Sequence, residues 1–414
     1  MKDSSIEWIG KIPKDWGLPK VKQLFIIGRG RVIAKTELDD NRLYPVYSSQ
    51  TKDGGRLGNI DTYDFDKIQL TWTTDGANAG TVFLREGRYN CTNVCGTLLP
   101  KNDKNDVLFI KYALEYIAIF HKRADINGFK IMNNEMAEIV IPLPRNKGDQ
   151  KEIADYLDEK VSVLDNIITK TTLSIDEYKK YKQSLITEAV TKGLNPEVEM
   201  NDSGIEWIGE IPKEWNVIKL KNVVKSPLQY GANESGCEFN KNLPRYIRIT
   251  DITLDNKLKT NGKLSLPLEN SKQYILEEGD ILFARSGATV GKTFIYKEKY
   301  GLSAFAGYLI KASINISTLS MFIYYYTLSS PYNEWKNRIF IKSTIQNIGA
   351  DKYSNMEIVI PSILEEQREI VDYLDRKCSE IDNLITQKQQ LLIELEAYRK
   401  SLIYECVTGK KEVV

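Results

Sequence analysis

The chain has 414 residues, a formal net charge of +1, 42% hydrophobic and 27% charged residues. That is the composition of a globular protein with room for two or three domains. The near-neutral balance argues against a protein that binds DNA alone and without sequence preference, because phosphate neutralisation needs a basic surface. It leaves open a chain whose partner subunits carry much of the phosphate contact.

Met1 is followed by the polar run Lys-Asp-Ser-Ser rather than a basic end and an apolar core. The most apolar stretches, around Tyr112–Phe120 and Met321–Leu328, are too short to span a bilayer. A cytoplasmic protein is therefore expected. The 5 cysteines do not suggest a disulfide framework. Cys91 and Cys95 are close in sequence, but no further Cys or His cluster completes a metal site beside them. The single histidine, His121, sits next to Lys122 and Arg123, and is expected at the surface.

In chain order, the first element is a strap, Asp3–Trp16, reading DSSIEWIGKIPKDW. It returns as DSGIEWIGEIPKEW at Asp202–Trp215. Pro13 and Pro212 preclude a continuous helix, so each strap is expected to be irregular and to dock its tryptophans and isoleucine on a neighbouring element. A longer, divergent region follows each strap, Gly17–Gly148 and Asn216–Glu365. Both are rich in short strands divided by Gly, Asn and Asp turns, such as Tyr44–Tyr47, Ile68–Thr74, Thr81–Leu84, Tyr246–Ile249, Ile281–Ala284 and Thr293–Tyr296. Each has one helical patch, near Val107–His121 and Leu319–Arg338, and each ends in the strand EIVIP, at Glu138–Pro142 and Glu357–Pro361. A glycine loop between two strands is shared as well. Asp75–Phe83 (DGANAGTVF) lies opposite Ser286–Phe294 (SGATVGKTF), which predicts one fold for both regions.

Gly287–Thr293 nearly matches a phosphate-binding loop, but one residue is missing between the glycines and Phe294-Ile-Tyr296 continues as a strand. A β-hairpin turn is expected instead, projecting Arg285, Thr289 and Lys292. No dinucleotide fingerprint, base-flipping pocket or nuclease carboxylate cluster is present in the sequence, which predicts a non-enzymatic chain.

The longest repeat is Asp149–Thr191, which aligns without a gap to Glu366–Thr408. Apolar residues alternate four and three apart in both, marking a coiled-coil seam: Leu157, Val161, Leu164, Ile168, Ile175, Leu185 and Ala189, then Leu374, Cys378, Ile381, Ile385, Leu392, Leu395, Leu402 and Cys406. Neither copy contains Gly or Pro. Polar steps coincide as well, Lys182 with Arg399 and Thr171 with Lys388, and are expected to offer contacts to a partner. Two matched apolar stripes bury best against each other, and the helices run antiparallel if each head's ends lie close together. The expected fold is α+β, with two strand-rich domains separated by a long antiparallel two-helix coiled coil in a pseudo-two-fold repeat. Its segments are 1–148, 149–200 (spacer helix and linker), 201–365 and 366–414 (distal spacer helix).

A constant frame carrying two variable heads suggests a reader of two separated sites. The paired WIGxIPxxW straps, the IVIP strand followed by QKEIADYLDEK or EQREIVDYLDRK, and the segments Thr71–Phe83 and Gly279–Lys292 together resemble the specificity subunit of type I restriction-modification systems, from end to end. The resemblance implies two target-recognition domains, each reading one half of a split, asymmetric double-stranded DNA target. It also implies two modification (methyltransferase) subunits docked on the frame, and restriction subunits that translocate and cleave. S-adenosylmethionine, ATP and Mg2+ would belong to those partners, with none bound by this chain. A helix of this length spans about 64 Å, or roughly 19 base pairs, enough to place two half-sites with a gap. Isolated, such a subunit is expected to be prone to self-association through uncovered apolar surface.

Base reading needs fork-like donors and acceptors, and phosphates need Lys, Arg and hydroxyls. The candidates in the first head are Tyr47, Ser48, Ser49, Gln50, Thr51, Lys52, Thr73, Thr74, Asn78 and Lys130. In the second they are Gln229, Tyr230, Asn233, Arg248, Arg285, Ser286, Thr289, Lys292, Ser343, Thr344 and Gln346.

Overall fold

Each strap closes on itself through a two- or three-residue ladder: Lys2 pairs with Ile12 in the first, and Met200 with Pro212 in the second. The computed structural model describes residues 1–126, 128–253, 255–341 and 347–413. The strap aromatics dock as the sequence predicts. Trp8 stacks on Phe120 with ring centroids 5.6 Å apart, Ile9 is fully buried, and Trp16 meets Phe109 edge-on. In the second copy Trp215 meets Phe322 edge-on and donates from Nε1 to Glu366 at 2.9 Å. His121 is not a free surface residue: it sits half-buried, edge-on to Trp8, and burial lowers its pKa.

In the first head, strands β1 (Phe25–Arg29), β2 (Tyr44–Tyr47), β3 (Arg56–Ile60), β4 (Gln69–Thr73), β5 (Val82–Arg85), β6 (Asn90–Cys91) and β7 (Cys95–Pro100) form two sheets. One is antiparallel in the order β1-β7-β4-β5; the other runs β3-β2-β6, with β2 and β6 parallel. Helix α1 (Val107–Ile117) starts where the Asp106 carboxylate accepts from the Phe109 N–H at 2.8 Å, and it buries Phe109, Ile110, Leu114 and Ile117.

The second head repeats this plan. After β8 (Trp215–Lys219) come β9 (Gln229–Tyr230), β10 (Cys237–Glu238), β11 (Arg245–Ile247), β12 (Leu264–Ser265), β13 (Ile281–Ala284), β14 (Thr293–Ile295), β15 (Ser303–Phe305) and β16 (Leu309–Ala312). Their orders are β9-β16-β13-β14 and β10-β12-β11-β15, with β11 and β15 parallel. β13 and β14 pair as an antiparallel hairpin around Gly287–Thr289, so the phosphate-loop look-alike is a turn between strands.

The EIVIP segment is a continuous strand only in the second head, as β17 (Glu357–Pro361) against β8. In the first it survives as isolated bridges, Lys20 with Val140 and Gly17 with Leu143. Pro19 stands where the second head has Ile218, and without an N–H it cannot complete the ladder.

The two long helices are α2 (Lys147–Lys192) and, after α3 (Ser320–Tyr326) and α4 (Ser330–Ile341), α5 (Leu364–Val407). Gly193 (φ +78°) ends α2 and Gly409 (φ +65°) follows α5. By compactness the chain divides into two units, Met1–Thr172 with Gln389–Val414, and Leu173–Lys388. Each unit takes one half of both helices. In the first, Leu157, Val161 and Leu164 share a core with Leu402, Ile403 and Cys406 and with Phe109 and Leu114 of α1. In the second, Leu185, Ile186 and Ala189 join Ile370, Leu374 and Cys378 against Phe322 and Ile323 of α3. The start of one helix therefore lies beside the end of the other, which makes the pair antiparallel. Ile175 and Ile381 are buried too, while Ile168, Ile385, Leu392 and Leu395 are half-buried, so the seam follows the predicted heptads.

Each helix is tied to its head by the same two polar contacts. Tyr112 donates to Asp158 at 3.0 Å and Tyr325 to Asp375 at 2.5 Å; burial and the carboxylate raise both phenol pKa values, keeping them donors. Gln150, fully buried, accepts from the Asp106 N–H and donates to the Pro144 carbonyl, both at 2.7 Å. Gln367 does the same for the Leu319 N–H and the Pro361 carbonyl. A Gln150→Met exchange keeps the volume but strands two backbone groups. It should cost about 1–3 kcal/mol, seen as a lower urea midpoint at unchanged slope; an unchanged midpoint would show that water replaces the amide.

Candidate nucleic-acid interface

Hydrogen-bond register places the two heads in strict correspondence at one end of the antiparallel sheet. Arg29 faces Gly96 as Tyr230 faces Ile310. Gly30 N–H donates to Cys95 and Gly231 N–H to Leu309. Thr74 N–H donates to Val94, and its carbonyl accepts from Ile131; Arg285 N–H donates to Tyr308, and its carbonyl accepts from Ile348. Arg29 is thus equivalent to Tyr230, and Thr74 to Arg285. Gly30 and Gly231 are required by close approach, since an added Cβ would lie 2.2 Å from the Cys91 carbonyl oxygen or 2.4 Å from that of Ala306.

Around this end lie many of the predicted residues, and the structure sorts them. In the first head Tyr47 carries the Arg85 guanidinium 3.6 Å above its ring. Arg85 is itself buried and bound to Thr71 and Gly54, and burial lowers its pKa. Ser48 accepts from the Thr92 hydroxyl at 3.1 Å, and Gln50 donates to the Arg56 carbonyl. Ser49 is half-buried, while Thr51 and Lys52 are exposed at the turn Lys52–Gly55. Thr73 and Thr74 are fully buried and their hydroxyls donate to the carbonyls of Asn78 and Val94, so they build the loop rather than face a ligand. Asn78 is exposed, and Lys130 is paired with Asp125 at 2.5 Å.

In the second head Tyr230 is 41% exposed and its hydroxyl accepts from the Ala350 N–H, which leaves the ring standing beside Arg285 with the guanidinium 4.9 Å from its centroid. Gln229 donates to the Gln273 carbonyl and Asn233 is exposed. Arg248 is committed to Asp251 and the Gly262 carbonyl, and Lys292 reaches the Thr253 carbonyl at 3.2 Å. Ser286 and Thr289 are half-exposed in the hairpin turn. Ser343, Thr344 and Gln346 lie outside the described residues.

Sequence reasoning passed over Arg29. The signal that reveals it is the Gly after it, which matches Gly231 at nearly the spacing that relates the two straps. The matched polar steps also read differently. Lys182 binds Asp382 at 2.7 Å, Arg399 binds Asp165 and Glu115 at 2.6 Å each, and Thr171 is buried, so these three are taken up within the chain; Lys388 is half-buried, its ammonium 5.6 Å from the Tyr178 ring. What the helices do expose is a second apolar stripe at heptad spacing: Ile167 and Tyr181 on α2, and the aligned Leu384 and Tyr398 with Leu391 between them on α5, all 40% or more exposed.

A family model described as the type I restriction modification DNA specificity domain matches residues 13–176 and again 212–397. The chain is 28% identical to the type I restriction enzyme MjaVIII specificity subunit of Methanocaldococcus jannaschii, over 97% of this chain and 94% of that one. It is 38% identical to the type I restriction enzyme MpnII specificity subunit of Mycoplasma pneumoniae, over 33% of this chain and 42% of that one. A solved structure described as the basis of complex assembly and conformational transition of the type I R-M system shares its fold with a TM-score of 0.68 at 15% identity, covering 97% of this chain and all of that one.

Proposed function

The chain belongs to the type I restriction modification DNA specificity family, and on that premise we propose that it is the sequence-reading subunit of a type I restriction-modification complex. Each head reads one half of a split, asymmetric double-stranded target, and the helices set the spacing while docking modification subunits. The observation that supports this best is the correspondence of the two heads: one order and register in the four-stranded sheet, and different side chains at the equivalent positions 29/230 and 74/285. A shared scaffold with divergent tips is how two different short sequences are read by one fold. The exposed, matched stripes on α2 and α5 suit two copies of one partner.

On this reading the chain performs no catalytic step. Adenine methylation from S-adenosylmethionine, and the ATP- and Mg2+-dependent steps, fall to modification and restriction subunits. This chain's residues bind and position the duplex. Among the described residues no helix is long and apolar enough to cross a membrane.

The test is single-molecule methylation mapping in a host that expresses the partner subunits, with and without this gene. A bipartite adenine-methylated motif should be present with the gene and vanish on its deletion. An unchanged methylome would refute the assignment.

A further inference from the structure

Almost every arginine between the straps and the EIVIP segments is already occupied. Arg31, Arg42, Arg56, Arg88, Arg123, Arg248 and Arg338 lie against carboxylates, and Arg85 and Arg245 are buried against backbone carbonyls. Two remain that are neither buried nor paired with a carboxylate among the described residues, Arg29 and Arg285. They occur one per head.

Both stand at the structurally equivalent end of the sheet, but on opposite strands. Arg29 leaves the end of β1 and reaches across the intervening β7, bringing Nη2 to 3.4 Å from the Thr74 hydroxyl. Arg285 leaves the end of β13, at the position equivalent to Thr74, and reaches across β16 to lie over Tyr230, the residue equivalent to Arg29. Arg and its contact have exchanged places, while the guanidinium stays over the same gap. The guanidinium rests against a hydroxyl in the first head and against an aromatic face in the second. Among the described residues the Arg285 Nε has no hydrogen-bond partner.

We infer that each head reads one guanine through this arginine, Arg29 in the first half-site and Arg285 in the second. The inference rests on the DNA-reading function proposed above and adds the base. The planar guanidinium fork suits bidentate donation to O6 and N7 of guanine in the major groove. The same fork can also hold a phosphate, and what separates the two is that a base contact is lost at one base pair only. Exchanging the strand that supplies the fork turns it relative to the sheet, which lets one scaffold place its guanine differently in the two half-sites.

The experiment uses the complex with its modification subunits and a panel of duplexes in which each base pair of the methylated target is changed in turn. For Arg285→Ala we expect discrimination at one guanine of one half-site to fall by about ten- to a hundredfold, with the other half-site unaffected. Arg29→Ala should do the same in the opposite half-site. Arg285→Lys and Arg29→Lys should fail to restore it, since an ammonium keeps the charge and loses the fork. The untouched head reports on the integrity of the same molecule. The inference is overturned if the alanine variants weaken all duplexes equally and lysine restores them, which is a phosphate contact, or if a half-site contains no guanine on either strand. It is overturned as well if both the alanine and the lysine variant abolish the whole half-site's preference, because the arginine then holds the head together. A wild-type complex without sequence preference would instead refute the proposed function itself.

Discussion

Leu157→Ala and Leu374→Ala should each destabilise the chain by about 3–5 kcal/mol, and by similar amounts. Both leucines are fully buried. Each occupies the same heptad position at the head end of its helix, packed against the other helix's opposite end and against the head's own helix. Neither site can collapse freely around the lost methyls, since two different elements wall it in. Leu392→Ala, half-buried on the same seam, should cost about 1 kcal/mol, the loss of transfer energy with little cavity. Urea titration of the three variants checks the ordering. Equal costs for Leu157 and Leu392 would mean that the seam is held by a uniform coiled-coil contact, with no special contribution from the head junctions.

That ordering marks where the sequence was legible. The seam leucines, both straps, the head strands and the turn after β13 followed from heptad spacing, proline positions and glycine turns, because these are local rules with one dominant cause. The polar residues misled wherever a long-range partner decides their fate. Thr73 and Thr74 are candidates for DNA contact by residue type, yet both are buried and donate to the Asn78 and Val94 carbonyls. Lys182 and Arg399 looked like a matched pair of steps; each instead binds an aspartate on the opposite helix, and those aspartates, Asp382 and Asp165, are themselves matched positions of the repeat. Alignment of the repeat revealed equivalence, while partnership was set by the antiparallel packing. Arg29 escaped because its one local mark, the Gly30 that answers Gly231, says nothing of its pairing; what sets it apart is that the other arginines of the first head lie against carboxylates or backbone carbonyls.

Arg399→Met should destabilise the chain by about 3 kcal/mol, far more than Lys182→Met, although the two residues are equivalent in the repeat. Lys182 faces Asp382 alone, and that carboxylate is 42% exposed, so water takes over when the ammonium leaves. Arg399 bridges Asp165 on α2 and Glu115 on α1, and only 22% of the Glu115 side chain is exposed. Burial works to raise the Glu115 pKa, and the combined pull of Lys111 and Arg399 brings it below the ordinary carboxylate value instead. Lys111 lies 2.7 Å from Oε2 and Arg399 2.6 Å from Oε1, so each carboxylate oxygen faces one cation.

The pH dependence follows from the sign of the shift. With its pKa depressed, Glu115 contributes stability above the unfolded carboxylate value, near 4.3, and loses it as pH falls through the lower folded value. In Arg399→Met burial regains weight and the folded pKa rises. A carboxylate so raised costs stability as pH climbs through that value, and the cost is relieved on protonation. The gap between wild type and variant should therefore be widest near pH 7 and narrow toward pH 4. Adding Glu115→Gln to Arg399→Met should recover much of the loss at pH 7, because it removes the stranded charge and keeps the shape. A gap that is the same at both pH values, with no recovery in the double variant, would show that Arg399 acts by packing its stem and that the ion triad holds no charge in balance.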